Sequence, residues 1–301
     1  MSPAPAAACV LRELSLGSPI FSLILATYGR VDEIGRLLDS LEAQTCQDFE
    51  LIVVDQNPDD RVRPFVQRAL QAGWQVQHLR LSRPNLSAAR NAGIAVAKGE
   101  WIALPDDDCW YESDTLVRVL ARVRAEPVLD GVVARWVEQT HKVDPMLDSP
   151  LRLEAWRQFK GSDASSIALF LRTTLARQVG GFDERLGVGQ WFGAGEETDF
   201  LLSLLGQGAR IDRLADARVH HAFGARKASL LRGEWRFSLS RSRSWGALCR
   251  KHRLSHKVVL RGLVGPMSWL VLRPNGLVGL VQSVAATVGR LQGLVCWREG
   301  A

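Results

Sequence analysis

The sequence of 301 residues has few cysteines and no long apolar run. No pair of its cysteines has the spacing of a metal site or a redox pair, which argues against disulfides and indicates reduced thiols in a reducing compartment. The cysteines are Cys9, Cys46, Cys109, Cys249 and Cys296. The N-terminus lacks a basic segment and an apolar core, so no signal peptide is expected. Because no stretch reaches about 18 uninterrupted apolar residues, no membrane-spanning helix is predicted.

The charges are divided unevenly along the chain. Residues 218–301 contain 15 Lys and Arg against 2 Asp and Glu, so this tail is almost without acids. Residues 1–217 hold the remaining 23 basic and 30 acidic residues, so the body is mildly acidic. Such asymmetry points to an anionic partner for the tail, either lipid or nucleic acid.

The first third of the chain alternates short apolar runs with amphipathic segments. Strands are predicted at 20–30, 49–60, 76–81 and 101–104, the first two as buried apolar runs, with a helix in each interval. This β-α alternation predicts an α/β fold with a mainly parallel, doubly wound sheet. Ligands in such sheets bind beyond the carboxyl ends of the strands, so one crevice is expected there.

The alternation then loosens into a smaller section that we expect to be mixed or antiparallel. Strands are predicted at 130–139 and 162–172, a helix at 193–208, and one or two short strands at 209–221. The expected division is a leader (1–18), a catalytic domain (19–222) and a basic helical tail (223–301). Within the domain, 19–111 would bind the nucleotide and 112–222 the acceptor.

The tail combines basic residues with four tryptophans and two apolar segments broken by Arg, Gly and Pro. Helices of this composition can lie in a membrane interface with Trp at the depth of the head groups. We therefore expect an anionic membrane surface as a partner and a peripheral position on the cytoplasmic face of the cell membrane. A nucleic-acid arm would need no apolar runs, so no nucleic acid is expected.

The stretch "WIALPDDDCWY" places Asp106, Asp107 and Asp108 directly after a predicted buried strand. Three adjacent carboxylates repel one another, by a few kcal/mol for each close pair at an effective dielectric of about 20. They either fan out into water or share a cation. An oxygen-rich cluster at a crevice suits Mg²⁺ or Mn²⁺.

A second acidic group, "GEETDF", opens the predicted helix at 193–208. Glu196, Glu197 and Asp199 there complement the positive end of a helix dipole. A carboxylate beside others also has a raised pKa and can act as a general base. Both interpretations can hold for different members of the group.

Four further residues have two interpretations each. His220 and His221 point to opposite faces of a strand, so at most one of them can reach the cleft as a metal ligand. Asp55 either forms a turn before Asn57 or accepts hydrogen bonds from a ribose or base. Arg90 either binds phosphate or carboxylate or is a surface charge.

Five stretches together resemble the family 2 glycosyltransferases of the GT-A fold, in the family's order over about residues 20–222. They are "SLILATYGR", "DFELIVVDQN", "LSAARNAGIAVAKGEWIALPDDDCW", "VGGFDERLG" and "FGAGEETDF". The resemblance implies an inverting, metal-dependent transfer of one sugar to a hydroxyl acceptor, and a cell-envelope glycan or lipid-linked saccharide suits a membrane-bound tail. The donor would be a UDP-, dTDP- or GDP-linked sugar and the cofactor Mn²⁺ or Mg²⁺.

The resemblance also implies roles for individual residues. Those implied to bind the nucleotide-sugar are Thr27, Tyr28, Arg30, Asp55, Arg90, Asp106 and Asp107. Those implied to bind the metal are Asp108, as the main ligand, Asp106 and His221, or His220 in its place. Those implied in catalysis are Glu197 as the base, with Asp199 and Glu196 in support.

The sequence departs from the family pattern at Gln56, Gly29 and Cys109, where many members carry Asp, Asn and Asp. The Gln-x-x-Arg-Trp element of processive synthases is missing, which argues for transfer of a single sugar. Two alternatives remain: a nucleotidyltransferase of related fold, and a non-catalytic nucleotide-sugar-binding scaffold. The single Gly of "ATYGRVDE" argues against the first, and the intact acids at 106–108 and 197 argue against the second.

Overall fold

The computed structural model describes residues 17–138, 148–161, 164–221, 230–272 and 276–298, and these contain eight strands and ten α-helices. The strands are β1 (Phe21–Thr27), β2 (Phe49–Asp55), β3 (Gln75–Arg80), β4 (Trp101–Ala103), β5 (Cys109–Tyr111), β6 (Gly131–Glu138), β7 (Leu169–Arg172) and β8 (Ile211–His221). The helices are α1 (Asp32–Glu42), α2 (Arg63–Gln71), α3 (Leu86–Val96), α4 (Thr115–Ala125), α5 (Leu153–Arg157), α6 (Thr173–Gln178), α7 (Glu196–Gly206), α8 (Leu231–Lys251), α9 (His256–Leu272) and α10 (Gly276–Cys296). A short 3-10 helix, Ser166–Ala168, precedes β7. Most of the expected leader, including Cys9, and the start of the expected tail (223–229) lie outside the described residues.

All eight strands form one sheet, in the order β3-β2-β1-β4-β7-β6-β8-β5. Strands β1 to β4 are parallel to one another, whereas β7 pairs antiparallel with both β4 and β6. Every residue of β1 and β2 is buried, as expected for parallel strands covered on both faces, and this is why they form continuous apolar runs. The prediction of a mainly parallel α/β sheet with a smaller mixed section is confirmed.

Strand β5 was not predicted, because its three residues are too few for a periodic pattern to be visible. It pairs antiparallel with β8, and the register places Cys109 opposite His221. The acidic turn at 106–108 therefore lies between β4 and β5 and is held at both ends. Two other differences are small: β7 begins only at Leu169, after the 3-10 helix, and residues 211–221 form one strand.

The C-terminal helices pack on the loop before α7. A small apolar core joins the two parts, in which Phe192 lies edge-on to Trp297 with ring centroids 5.1 Å apart. The other members of this core are Leu186, Ala247 and Leu248. The segment expected to be a tail thus shares buried apolar surface with the loop before α7.

Helices α9 and α10 are joined by a contact that a proline creates. Pro266 lies inside α9 and has no N–H, so the carbonyl of Gly262 loses its donor within the helix. Arg290 of α10 donates a hydrogen bond to that carbonyl. On the same turn, a Cβ at Gly262 would lie 1.9 Å from the Trp245 ring of α8, so only glycine allows this approach. The inner face of α9 is therefore fixed against α8 and α10.

Among the described helices, α10 alone is long and apolar enough, by length and composition, to cross a membrane. The sequence predicted no membrane-spanning helix, and by length and composition α10 contradicts that prediction. The helix contains Gly, Ser and Gln residues. They break the run of apolar residues in the sequence but do not end the helix. A Cβ at Gly289 or Gly293 would lie 2.5 or 2.0 Å from the backbone oxygens of Leu239 and Arg243, so this face of α10 packs directly on α8.

Candidate active site

The acidic turn lies at the carboxyl end of β1, at the edge of the sheet where ligands were expected. A parallel bridge between Ala26 and Asp106 holds the start of the turn beside the last residues of β1. Asp107 is buried, whereas Asp106 and Asp108 are half-buried. Three neighbouring acids are therefore presented at one rim but in different surroundings.

Asp107 is bound by the loop that follows β1. The Thr27 hydroxyl donates to its Oδ2 at 2.8 Å, and Arg30 Nη1 donates to its Oδ1 at 2.8 Å. Burial raises the pKa of the Asp107 carboxyl to about 6, although Arg30 and the Thr27 hydroxyl act in the opposite direction. Thr27 and Arg30 thus lie beside the acids as expected, while the Tyr28 side chain is more than half exposed, at 55%.

Asp108 lies between Arg30 and His221. Arg30 forms an ion pair with it, and His221 Nε2 lies 3.0 Å from its Oδ1. Burial raises the pKa of Asp108, but the contacts from His221 and Arg30 outweigh burial and hold it below its ordinary value. The hydrogen bond to Asp108 in turn raises the pKa of His221. This contact follows from the β5–β8 register.

His220 points to the other face of β8, as strand alternation requires. Its ring stacks on Trp110 at a centroid distance of 5.3 Å, and its Nε2 lies 3.1 Å from Glu112 Oε1. The structure therefore places His221, and not His220, beside the acidic turn. The sequence left the choice between the two histidines open.

Arg90 is a buried cation behind the acidic turn. Its side chain is 2% exposed, and its Nη2 donates to Asp106 Oδ1 at 3.0 Å and to the Ser166 hydroxyl at 2.8 Å. The buried Nη1 has no hydrogen-bond partner among the described residues. A buried guanidinium with an unused donor is an unusual arrangement, because each unsatisfied donor costs free energy.

Glu197, at the start of α7, is joined to Arg90 through Ser166. The Ser166 hydroxyl accepts from Arg90 and donates to Glu197 Oε1, so a continuous path runs from Asp106 to Glu197. Burial raises the pKa of the Glu197 carboxyl, and it outweighs the charge of Arg90 and the Ser166 hydrogen bond, which lower it. Sequence reasoning missed Ser166, since nothing in "SDASSIALFLR" distinguishes it from its neighbouring serines.

Asp199 faces away from this path. Its Oδ2 lies 2.8 Å from Lys251 Nζ, and its Oδ1 lies 2.8 Å from His252 Nε2, both at the end of α8. Lys251 also contacts Asp183 at 2.8 Å. Because residues two apart on a helix point in nearly opposite directions, Glu197 and Asp199 cannot share one side of α7. Among the described residues, no hydrogen bond or ion pair joins Asp199 to Glu197. Asp199 instead contacts Lys251 and His252 at the end of α8.

The glycine-rich loop before α7 is shaped by α8. Gly195, the residue before the helix, has a left-handed backbone with φ of +88°, and as a glycine it has no side chain with which to cap the helix. A Cβ at Gly193 would lie 2.1 Å from the Ser240 hydroxyl oxygen, and Gly193 N donates to the Ser240 carbonyl at 3.1 Å. The start of the helix that carries Glu196 and Glu197 therefore depends on close contact with α8.

In this structure Asp55 forms a turn with Asn57, the first of the two roles that the sequence allows it. Its Oδ1 accepts from the backbone N and the side-chain Nδ2 of Asn57 at 2.9 and 2.8 Å, while its Oδ2 lies 3.2 Å from His78 Nε2. Gln56, at the position where relatives carry Asp, accepts from the backbone N of Asn85 at 2.6 Å. Both side chains hold loops at the same rim of the sheet.

Three side chains at the rim can present ligand atoms to one metal ion. One oxygen from each of Asp106 and Asp108 and one ring nitrogen of His221 lie within 4.8 Å of one another. Two carboxylates and an imidazole form a donor set that suits Mn²⁺, and carboxylates alone suit Mg²⁺. The residues present therefore fit a divalent cation.

Protein cations already offset the repulsion among the three aspartates. Asp106 is paired with Arg90, Asp107 with Arg30, and Asp108 with Arg30 and His221. Such a triplet need not reach water or share a metal, because each carboxylate pairs with a basic side chain from another element. The case for a metal rests on the shared ligand geometry.

Comparison with known sequences places this chain in a family. The family described as "Glycosyl transferase family 2" matches residues 22–175, about half of the chain. The chain therefore belongs to glycosyl transferase family 2, and the resemblance inferred from its five motifs is confirmed.

Curated relatives match part of the chain. A "PGL/p-HBAD biosynthesis glycosyltransferase" of Mycobacterium tuberculosis is 35% identical over 108 residues, which are 35% of this chain and 42% of the relative. The "Succinoglycan biosynthesis protein ExoO" of Rhizobium meliloti is 30% identical over 187 residues, 57% of this chain and 53% of the relative. The chain thus spans about half the length of these relatives or less.

Solved structures share the fold over nearly the whole chain. S. aureus TarS 1-349 in complex with UDP-GlcNAc has a TM-score of 0.61 at 14% identity, covering 92% of each chain. The mannosyltransferase PcManGT of Pyrobaculum calidifontis, in complex with GDP-Man and Mn²⁺, has a TM-score of 0.62 at 14% identity, covering 93% of this chain and 88% of that one. At this identity the likeness concerns the fold alone, and it confirms the predicted GT-A architecture.

Proposed function

We propose that the protein transfers a single sugar from a nucleotide-diphosphate sugar to a hydroxyl acceptor, with inversion at the anomeric carbon and assistance from a divalent cation. One observation carries this proposal: the path Asp106–Arg90–Ser166–Glu197, which links a candidate metal site to a carboxylate with a raised pKa. Membership of a glycosyltransferase family supports it.

The donor binds along the rim formed by the ends of β1, β2 and β4. In this proposal Thr27, Tyr28 and Arg30 border the nucleotide, and Asp55 contacts the base in addition to forming its turn with Asn57. Asp106 and Asp107 contact the ribose and diphosphate. Arg90 offers its unused Nη1 to this region. UDP-, dTDP- and GDP-linked sugars are all candidates, and TarS and PcManGT, which share the fold, were solved with UDP-GlcNAc and GDP-Man.

Asp108, Asp106 and His221 hold the divalent cation. Mn²⁺ or Mg²⁺ bound there would neutralise the diphosphate as it leaves. Arg30, which contacts both Asp107 and Asp108, adds positive charge at the same rim. Because Asp108 has a lowered pKa, it remains an anionic ligand throughout the neutral range.

Glu197 is the general base. The acceptor hydroxyl oxygen forms a bond to the anomeric carbon, the bond from that carbon to the diphosphate oxygen breaks, and the hydroxyl proton passes to Glu197. Attack on the face opposite the leaving group inverts the configuration. Ser166 orients the Glu197 carboxylate during this step through its hydrogen bond to Oε1. Arg90 holds Ser166 in place by donating a hydrogen bond to the Ser166 hydroxyl.

The decisive test is Glu197→Gln. This change keeps the shape of the side chain but removes the base, so we expect transfer to fall by about a hundred-fold or more, the usual contribution of a general base. Donor binding, measured by calorimetry with Mn²⁺, should change little. Glu100→Gln, which alters an exposed acid just before β4, at the opposite end of that strand from the acidic turn, is the matched control and should leave transfer intact.

Two outcomes would contradict this proposal. Transfer that survives in the Glu197→Gln variant would remove Glu197 from the chemistry, whereas donor binding without any transfer by the unchanged chain would favour a binding scaffold. Release of pyrophosphate, in place of a nucleoside diphosphate, would indicate nucleotidyl transfer.

The proposal also includes a class of acceptor and a location of the protein in the cell. A glycan or lipid-linked saccharide of the cell envelope is the favoured acceptor, because relatives are named for PGL/p-HBAD and succinoglycan biosynthesis. The domain (19–222) would work on the cytoplasmic face of the cell membrane, with the basic region (223–301) toward anionic lipid. The excess of basic residues in that region supports this placement.

A further inference from the structure

A basic cavity lies where the acceptor half meets the C-terminal helices. It has a volume of about 560 Å³ and is bounded by α5, by the residues that connect α8 to α9, and by the first turns of α9. Its cationic lining residues are Arg157, Arg253, Lys257 and Arg261. The catalytic path described above contributes no side chain to this lining, so the cavity is separate from the candidate active site.

The lining has a clear excess of positive charge. Four basic side chains face one carboxylate, that of Glu154, and this carboxylate accepts a hydrogen bond from Gln158 Nε2 at 2.9 Å. Arg261 donates to the backbone oxygen of Gln158, which ties α9 to α5 across the cavity. The side chains of Arg157 and Lys257 are exposed. The cavity therefore favours an anion, and its volume is within the usual range for a small ligand.

An exposed apolar stripe runs along α9 from the edge of this cavity. Leu260, Val264 and Met267 are 64%, 54% and 42% exposed, and their spacing places them on one face of the helix. Lys257 lies one turn before Leu260, and Arg261 lies one turn before Val264; both basic residues are exposed. The stripe cannot turn inward, because Gly262 and Pro266 hold the opposite face against Trp245 and Arg290.

We propose that the cavity binds the phosphate head group of an anionic phospholipid and that the α9 stripe contacts the adjoining acyl chains. The proposal deepens the membrane placement given above and rests on it. Charge complementarity identifies the head group, and the adjacent apolar side chains identify a lipid, since basic and apolar faces side by side are the pattern of an interfacial helix. A nucleic acid or an acidic protein would use the charges but would leave Leu260, Val264 and Met267 in water.

Vesicle flotation tests the head-group site without donor, metal or acceptor, so its result does not depend on the glycosyltransferase reaction. Vesicles of phosphatidylcholine with and without phosphatidylglycerol are compared, using the full chain and its Arg157→Gln/Lys257→Gln variant. We expect binding only to the anionic vesicles, weakened about five-fold for each basic side chain removed and about thirty-fold in the double variant. The control is Arg63→Gln/Arg124→Gln, which removes the same charge from exposed positions of α2 and α4, outside the cavity lining, and should retain full binding.

A second variant examines the apolar part. Leu260→Ser/Val264→Ser changes two exposed side chains, so folding should be unaffected, and binding to anionic vesicles should fall about ten-fold or more because buried apolar area is lost.

Three results would overturn the proposal. The first is equal weakening by the control and cavity variants, which would indicate a diffuse charge effect. The second is competition by soluble glycerol phosphate as effective as by vesicles, which would indicate a free-phosphate site. The third is binding to DNA with none to anionic vesicles, which would indicate a nucleic-acid surface.

Discussion

Two acidic clusters, each with three carboxylates, are arranged in opposite ways. The aspartates at 106–108 follow one another in a turn, yet each meets a basic side chain from a different element: Arg90 of α3, Arg30 after β1 and His221 of β8. The acids at 196, 197 and 199 open one helix, and their side chains divide between two sides of it. Glu197 contacts Ser166, and Asp199 contacts Lys251 and His252.

The difference follows from backbone geometry. A turn at the end of a strand directs its side chains toward one point, where neighbouring elements can supply partners. A helix rotates successive side chains by about 100°, so acids one or two residues apart face different neighbours. The first cluster can therefore act as one site, whereas the second places the proposed base, Glu197, on one side of the helix and an ion pair of Asp199 on the other.

Asp108→Asn should have the largest effect on activity, because it removes the acid shared by His221 and Arg30. We expect metal-assisted donor binding to be lost and transfer to fall by about a hundred-fold or more, since a metal that neutralises a leaving group contributes several kcal/mol. Calorimetry with Mn²⁺ and a nucleotide-sugar measures the first effect and product analysis the second.

The matched control for that change is Asp59→Asn. Asp59 is an exposed acid of the nucleotide-binding half, paired with Arg61, and it is not part of the turn. If both variants bound Mn²⁺ and donor as the parent does, the cluster at 106–108 would not be a metal site.

Asp199→Asn should act mainly on stability. Asp199 is buried between Lys251 and His252, and loss of its charge leaves two basic groups without their shared partner. Breaking a buried ion pair is strongly destabilising, but Lys251 retains Asp183, so we expect a loss of about 2 kcal/mol in the free energy of unfolding. Denaturant unfolding measures it.

Asp216→Asn is the comparison for Asp199→Asn. Asp216 forms an exposed ion pair with Arg118, so removing its charge should lower the free energy of unfolding by less than about 1 kcal/mol. An Asp199 variant of unchanged stability that lost transfer as completely as Glu197→Gln would restore the chemical role that the family resemblance implies for it.

Ser166→Ala should have the smallest of these effects and the most specific one. Loss of its hydrogen bond leaves Glu197 less well oriented, and we expect kcat to fall about ten-fold with little change in donor KM, as for a hydrogen bond to a charged group. The same bond lowers the pKa of Glu197, so its removal should move the acidic limb of the pH–rate profile to higher pH. Arg90, Glu196 and Asp106 also act on this carboxyl and are unchanged in the variant.

Ser166→Thr provides the check for that prediction, since it restores a hydroxyl and should recover most of the activity. An acidic limb that stayed at the same pH in Ser166→Ala would show that Ser166 packs beside Glu197 without orienting it.

Much of the nucleotide-binding half could be predicted because its information is local. The apolar runs of β1 and β2 are buried on both faces, and the turn residues that end them mark the rim. Strand β5 could not be predicted in this way, and it decides which histidine meets Asp108. Neither could the partners of Asp199 be predicted, since Lys251 and His252 lie about fifty residues away, in a segment whose charge suggested an anionic partner and not a contact within the chain.

The sequence by itself determined the fold class, the family and the position of both acidic clusters, because hydrophobic periodicity, turn residues and short motifs act over neighbouring residues. Only the tertiary structure decided that Arg30, Arg90 and His221 neutralise the aspartates, that Ser166 joins Arg90 to Glu197, and that the C-terminal helices shape the loop before α7. These contacts depend on strand register and on helices packing at a distance along the chain. No local pattern encodes them.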